Sequence, residues 1–350
     1  MIHRSIFLLL CTTLLLLSCG DSDPLTLSPT GGDPDRTEWL VPQNEVFDGG
    51  PGLDGIPSVD DPDFTLANDV NYLNNDDLVL VFANGPEIKV YPHPILDWHE
   101  IVNDDIAGLK LAISYCPLTG TGVGWNRVID GEETTFGVSG LLYNTNLMPY
   151  DRRTFSTWSQ QRLDCVNGEL IGQKAETYSL VEMDFGTLLA AFPEAQVLNL
   201  NTGFNRRYGV YPYNDYRTNN NSFLFPISVN DNRLQAKERT LGVLDVNGRN
   251  KVYSFNREND QLEGIEDNVG GQDLFVVRST DLNFIVAFND DLGLSLVENQ
   301  FPAIVQDSDG TRYDVLGRAI GELKPNLEMP TQFIGYWFSW GTFYPDIELF

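Results

Sequence analysis

The chain reads as an α+β protein, predominantly β: a single β-rich domain built from two pseudo-repeated hairpin-and-strand units with a helix-containing segment between them. Three observations predict this. From Leu78 onward, short runs rich in Val, Ile, Phe and Tyr alternate with Asn, Asp and Gly, the pattern of strands joined by tight turns. Helical spacing is confined to two stretches. Sliding the chain on itself lays Lys89-Val90-Tyr91 over Lys251-Val252-Tyr253, Asp105-Ile106-Ala107-Gly108 over Asp267-Asn268-Val269-Gly270, and Leu111–Asn126 over Leu274–Asn289.

Taken in order, residues 1–18 carry Arg4, the apolar run Ile6–Leu17 and a small-residue end, the order of a secretory signal. The run is shorter than the ~20 residues a membrane span needs. Leu16-Leu17-Ser18-Cys19 has the form of a lipobox, so Cys19 is the expected lipidation site, carrying acyl chains such as palmitate. The expected location is the cell envelope, anchored by lipid to the outer membrane. The acidic start Gly20-Asp21-Ser22-Asp23 leaves surface display and a periplasmic face both open. Residues 19–63 form a Pro/Gly/Asp-rich tether whose second part, from Val41, reads as extended coil on or near the domain, and 64–350 form the domain.

Within the domain, Leu78–Phe82, Ala83-Asn84-Gly85-Pro86 and Glu87–Tyr91 make a hairpin signal. Further strands are expected at Lys110–Tyr115, Gly122–Val128, Glu133–Val138, Gln196–Leu200, Arg239–Val246, Lys251–Phe255, Leu274–Arg278 and Phe284–Asn289. Ser179–Phe192 has apolar residues three and four apart and stops at Pro193, which predicts a helix. Pro94–Asn103 predicts a second, with Ile95, Trp98, Ile101 and Val102 on one face.

Composition narrows the function classes. With 22 basic and 50 acidic residues the formal charge is -28, which disfavours nucleic acid and anionic membrane surfaces as partners. No basic patch, calcium loop, Ser-His-Asp order, nucleophile elbow, P-loop or dinucleotide fingerprint is present. The membrane is reached through the lipid on Cys19; no ligand or protein partner is specified.

The densest chemistry lies between Tyr91 and Asn126, where His93, His99, Glu100 and Cys116 precede the turn Pro117-Leu118-Thr119-Gly120-Thr121. Two models fit. Imidazole and thiolate from His99 and Cys116, with His93 or Glu100, suit a transition metal such as copper or zinc. Alternatively His99 lowers the pKa of Cys116 to make a nucleophilic or redox thiolate, with the N–H groups of Gly120-Thr121-Gly122 as an oxyanion cradle. Against both stand a buried, inert Cys116 and a His99 that caps its helix. Cys116 and Cys165 are the two cysteines left after processing, and an oxidising compartment admits a disulfide between them as well as two free thiols. A second candidate region spans Phe136–Gln160, where Asp151 and Arg152 with Tyr143, Asn144, Trp158 and Gln160 make the aromatic and amide mixture of a small-molecule or sugar cleft. It would serve a lipid-anchored binding module for a glycan, peptide or protein equally well.

Trp98-His99-Glu100-Ile101-Val102-Asn103-Asp104, Tyr115-Cys116-Pro117-Leu118-Thr119-Gly120-Thr121, Phe136–Asn144, Tyr150-Asp151-Arg152, Trp158-Ser159-Gln160, Lys237-Glu238-Arg239 and Trp337-Phe338-Ser339-Trp340 closely resemble the domain of unknown function 3179 family. The resemblance covers roughly residues 70 to 350. It implies no activity. Many relatives have Cys-Pro-Leu-Cys-Gly where this chain has Cys116-Pro117-Leu118-Thr119-Gly120, so a reaction that requires a Cys-x-x-Cys pair cannot run here.

Overall fold

The computed structural model describes residues 38–255, 262–321 and 323–350. The signal segment, Cys19, the first part of the tether and Gln261 lie outside the described residues. Unit one opens with the hairpin β1 (Leu78–Asn84) and β2 (Glu87–Pro92), turned by Gly85-Pro86, where Gly85 takes a φ of 58° that glycine adopts at little cost. Helix α1 (His93–His99) leads into the antiparallel meander β3 (Ile101–Ile106), β4 (Leu109–Cys116) and β5 (Thr121–Asn126). The unit closes with β6 (Val181–Asp184), α2 (Phe185–Ala191) and β7 (Gln196–Leu198). Strand β6 pairs antiparallel with β1 and β7 runs parallel to β2, giving the order β6-β1-β2-β7.

Unit two repeats this plan. Its hairpin is β8 (Arg239–Val246) and β9 (Arg249–Ser254), and its meander is β10 (Glu263–Val269), β11 (Gln272–Ser279) and β12 (Phe284–Asn289). It closes with β13 (Thr331–Tyr336), α3 (Trp337–Phe343) and β14 (Glu348–Leu349), in the order β13-β8-β9-β14 with β14 parallel to β9. The duplication therefore exceeds the sequence echo. The helix-containing segment expected between the units is the last third of unit one, and its counterpart is the C-terminus. The two segments share only alternation and a helix, which is why their letters do not align.

Side-chain networks fix the register between the units. Tyr91 donates to Asp104 at 2.7 Å, and Tyr253 donates to Asp267 at 2.7 Å. Lys89 and Lys251 approach the same two carboxylates. Asp104, not Asp105, is thus the partner of Asp267. Each unit's meander packs on the other unit's hairpin sheet: Phe275, Val277, Phe284 and Val286 lie in one core with Val79, Val81 and Met183, while Ala112, Val123 and Trp125 share another with Val252, Phe333 and Trp337. Burial of each such large side chain stabilises by about 1.5–3 kcal/mol, so neither unit's core is complete alone.

Two helix predictions are corrected. Ser179–Phe192 splits into a strand and a helix, because Val181 and Met183 alternate into the core as a strand requires, and Asp184 caps the helix by accepting from Thr187 N–H at 2.7 Å. The helix read from Pro94 to Asn103 ends at His99, where Glu100 turns left-handed at φ 58° and Ile101 begins β3. Between β5 and β6 an excursion forms the hairpin Phe136–Tyr143 with Asn146–Asp151, so the strand expected at Glu133–Val138 starts later and runs further. The coil before the domain is laid on it: Val46–Asp48 pairs with Tyr143, Leu142 and Leu141.

Candidate functional site

The Cys116–Gly120 turn is held from every side. Gly120 N–H donates to Cys116 O at 2.8 Å, Tyr336 N–H to Thr119 O at 2.7 Å, and the Tyr211 hydroxyl to Pro117 O at 3.0 Å. Gly120 has φ 63°, and a Cβ there would lie 2.9 Å from the Tyr336 ring, so the position needs glycine on two counts. Thr119, Thr121, Asn146 and Gln160 form one buried hydrogen-bonded network beneath it. With Gly120 N–H donated to Cys116 O and Thr121 paired to Cys116 in the β4–β5 ladder, two of the three residues read as an oxyanion cradle are already engaged.

His99 and Cys116 have separate partners. His99 is fully buried; its Nδ1 faces Pro57 O at 2.7 Å and its Nε2 the Tyr208 hydroxyl at 2.6 Å. A carbonyl only accepts, so Nδ1 carries the proton and Nε2 accepts from Tyr208. Burial lowers the pKa of the ring, which keeps it neutral with both nitrogens occupied. Cys116 Sγ instead accepts from Leu147 N–H at 3.4 Å and lies 3.8 Å from Thr145 O. Burial, then the Glu100 carboxyl, push its thiol up to about 11, so it is protonated at neutral pH. Cys116 and Cys165 are both free and buried, not bridged.

The metal reading is corrected on the same geometry. Among the described residues no three His, Cys, Asp or Glu side chains converge as a metal site. His93 turns to Glu182 at 3.2 Å, His99 to Tyr208, and Cys116 to backbone, so the three proposed ligands have no common centre. Burial would raise Glu182, but Arg239 and His93 beside it outweigh this and hold it at about 2.

Asp151 and Arg152 are structural in their contacts. Asp151 is fully buried and accepts from Thr154 N–H, Thr154 Oγ1 and Trp158 Nε1, closing its own loop. Arg152 binds Asp54 and Asp60 at 3.0 Å each and so clips the 54–60 segment to the domain.

Glu100 is the residue whose position demands a ligand-side account. It is buried, in a left-handed conformation sparsely populated by non-glycine residues, and no cation pairs with it among the described contacts. Burial raises its pKa to about 8, the Tyr213 hydroxyl holding it down only in part. With Tyr213 it lines a cavity of about 170 Å³ whose remaining side chains are apolar, among them Ile56, Leu118, Leu142, Leu147 and Phe225. Asp97, one turn earlier on α1, is also buried and lifted to about 6; Arg217 reaches its Oδ2 at 3.2 Å while Oδ1 has no partner among the described residues.

The remaining groups come from the long loop 199–238, in which sequence reasoning placed no site residue. It supplies Tyr208, Tyr211, Tyr213, Tyr216, Arg217 and Lys237 around the turn. The signal was there: four tyrosines within Tyr208–Tyr216, in an Asn-rich segment and in a loop longer than connection alone requires. No curated protein and no solved structure matches this chain. A family model described as a protein of unknown function, DUF3179, matches residues 53–347, beginning within the Pro/Gly-rich stretch that Arg152 clips down, and the chain belongs to that family.

Proposed function

We propose that this is a cell-envelope lipoprotein, anchored to the outer membrane through Cys19, whose domain binds a small, mainly apolar molecule bearing one hydrogen-bonding group in the cavity under Glu100. The observation that carries the reading is a buried carboxyl, with no counter-ion among the described residues, in the wall of a mainly apolar cavity of about 170 Å³. An apolar cavity of ~150 Å³ holds a benzene-sized molecule, and a protonated carboxyl both donates to and accepts from a ligand's carbonyl, amide or hydroxyl. The thiol chemistry read from the sequence then centres on a protonated Cys116 behind the wall formed by Leu147, with Glu100 and not His99 as its neighbour.

Calorimetric titration with benzamide and phenol tests this. Binding is expected in the native chain, weakened about tenfold in Glu100→Gln, equivalent to ~1.4 kcal/mol, and lost in Leu142→Trp, which fills the cavity. No binding to the native chain overturns the reading. Labelling of cells with an alkynyl fatty acid, present in the native chain and lost in Cys19→Ala, checks the anchor.

A binding module for a glycan or peptide is the second reading. It is favoured by a groove of about 630 Å³ whose wall includes Asn220, Asn221, Asn230, Asn232 and Gln235 beside Phe223.

A further inference from the structure

Lys237 is 7% exposed, yet its Nζ has no hydrogen-bond partner and no carboxylate within ion-pair distance among the described residues. It is enclosed by rings: Nζ lies 3.4 Å from the centroid of Tyr216, 4.4 Å from Phe338, 4.8 Å from Phe223 and 5.8 Å from Tyr336. A lysine kept only for charge is given an acceptor when it is buried, because an unpaired buried ammonium is costly. A structural lysine normally runs its stem along the apolar surface and its head to water. This one does neither. The Tyr216 hydroxyl, on the ring nearest Nζ, is a second buried polar atom without a hydrogen-bond partner among the described residues.

We propose that Lys237 is a reactive amine that captures small uncharged aldehydes or ketones as an imine inside the cage of Tyr216, Phe223, Tyr336 and Phe338. The Nζ lone pair attacks the carbonyl carbon and a C–N bond forms. The carbonyl oxygen collects the two protons that Nζ gives up and leaves as water, so a C=N bond replaces C=O with no oxidant or reductant. The Tyr216 hydroxyl is a proton relay for the departing oxygen. Four rings and no anion admit an apolar carbonyl compound and disfavour a hydrated anion. The amide-lined groove is the route in, since Phe223 belongs to both groove and cage, and Ala236 and Glu238 on either side of Lys237 line it.

Burial without an acceptor favours the free amine and brings the group down to about 7, with Cys116 opposing it only in part. The rings favour the ammonium by about 0.5–2 kcal/mol and offset some of that shift. At neutral pH the free-amine fraction then exceeds that of an ordinary lysine by about a hundredfold or more.

The test incubates the full chain with benzaldehyde and cyanoborohydride at pH 7 and maps the benzyl adducts by peptide mass spectrometry. Labelling at Lys237 is expected to run at least about tenfold faster than at the exposed Lys174, with a pH–rate midpoint well below that of Lys174. In Lys237→Arg, adducts at the other lysines are expected to be unchanged. Labelling of Lys237 no faster than Lys174, or a pH profile that follows Lys174, overturns the proposal; because it is read on the native chain, it does not depend on whether a variant folds.

Discussion

The two units carry the same turn in the same place and fill it with different chemistry. In unit one Cys116 opposes Thr121 and the turn closes on left-handed Gly120; in unit two Ser279 opposes Phe284 and the turn closes on left-handed Asn283 at φ 50°. One strand away, Glu100 lies against Tyr115, whose N–H donates to Glu100 O, and the matching pair in unit two is Glu263 against Arg278. There the carboxylate has its cation at 3.0 Å. In unit one the arginine's place is taken by a tyrosine, and the carboxyl is left buried beside a cavity. A scaffold that works with a Glu–Arg pair does not require an unpaired Glu. The departure marks where unit one differs from the shared plan, and Tyr213 and Lys237 from the long loop gather at that same turn.

The largest effect is expected where the units are joined. Glu182 of β6 binds Arg239 of β8, which also donates to Asn283 in the unit-two turn at 2.7 Å. Arg239→Met leaves Glu182 buried with His93 alone, and removing one partner of a buried pair costs about 3–5 kcal/mol, read as a lower denaturation midpoint. The pH dependence follows from the depressed carboxyl. With Glu182 held near 2 and an unfolded value near 4.5, its contribution is present above 4.5 and disappears as pH falls toward 2. Acid unfolding of the variant should therefore be flatter over that window than that of the native chain.

Next in size is the contrast between Glu100 and Glu263. Glu100 is raised to about 8 from 4.5, so between those values the native state binds the extra proton and stability falls as pH rises. Glu100→Gln should remove that fall between pH 5 and 7, making the variant increasingly more stable than the native chain across the window. Measurement below pH 7 keeps Lys237 out of the slope, because its depressed value makes stability rise only above about 7. Glu263→Gln should instead cost about 1 kcal/mol, since it deprives Arg278 of a partner that is part-exposed. Equal behaviour of the two variants would erase the distinction between the units.

How much of this was legible in the sequence depends on which force set each residue. Strands and hairpins were, because alternation and turn residues act locally, and the repeat was visible wherever both copies kept their core letters. The third part of each unit was not, since Val181-Glu182-Met183 and Phe333-Ile334-Gly335 meet only the demand for alternation. Cys116 and Glu100 stood out because their residue types are hard to assign to solvent or core. His99 stood out for the same reason and proved to be a satisfied buried histidine, its partners Pro57 and Tyr208 being distant in sequence. Lys237 was quoted only as part of a motif. Its cage draws on residues 216, 223, 336 and 338, which the long loop, the end of β13 and the start of α3 bring together.

The smallest expected effect is a difference between two matched variants in the shared part of the scaffold. Tyr91 and Tyr253 are both fully buried and donate to equivalent aspartates, so each Tyr→Phe change removes one hydrogen bond to a carboxylate, worth about 1.5–3 kcal/mol. The two losses should not be identical. Asp267 keeps Lys251 at 2.5 Å after its tyrosine is cut, whereas Asp104 has Lys89 only at 3.9 Å. Burial already lifts the Asp104 carboxyl above its usual range, while Lys251 and Tyr253 more than offset burial at Asp267 and hold it below. Tyr91→Phe is therefore expected to cost more than Tyr253→Phe, by roughly half a kcal/mol to one, the scale of one partly exposed ion pair. Urea denaturation at pH 7 resolves the order. A larger loss at Tyr253 would mean that the lysine, not the tyrosine, positions the aspartate in unit one, and that the two networks, alike in residue type, are held differently.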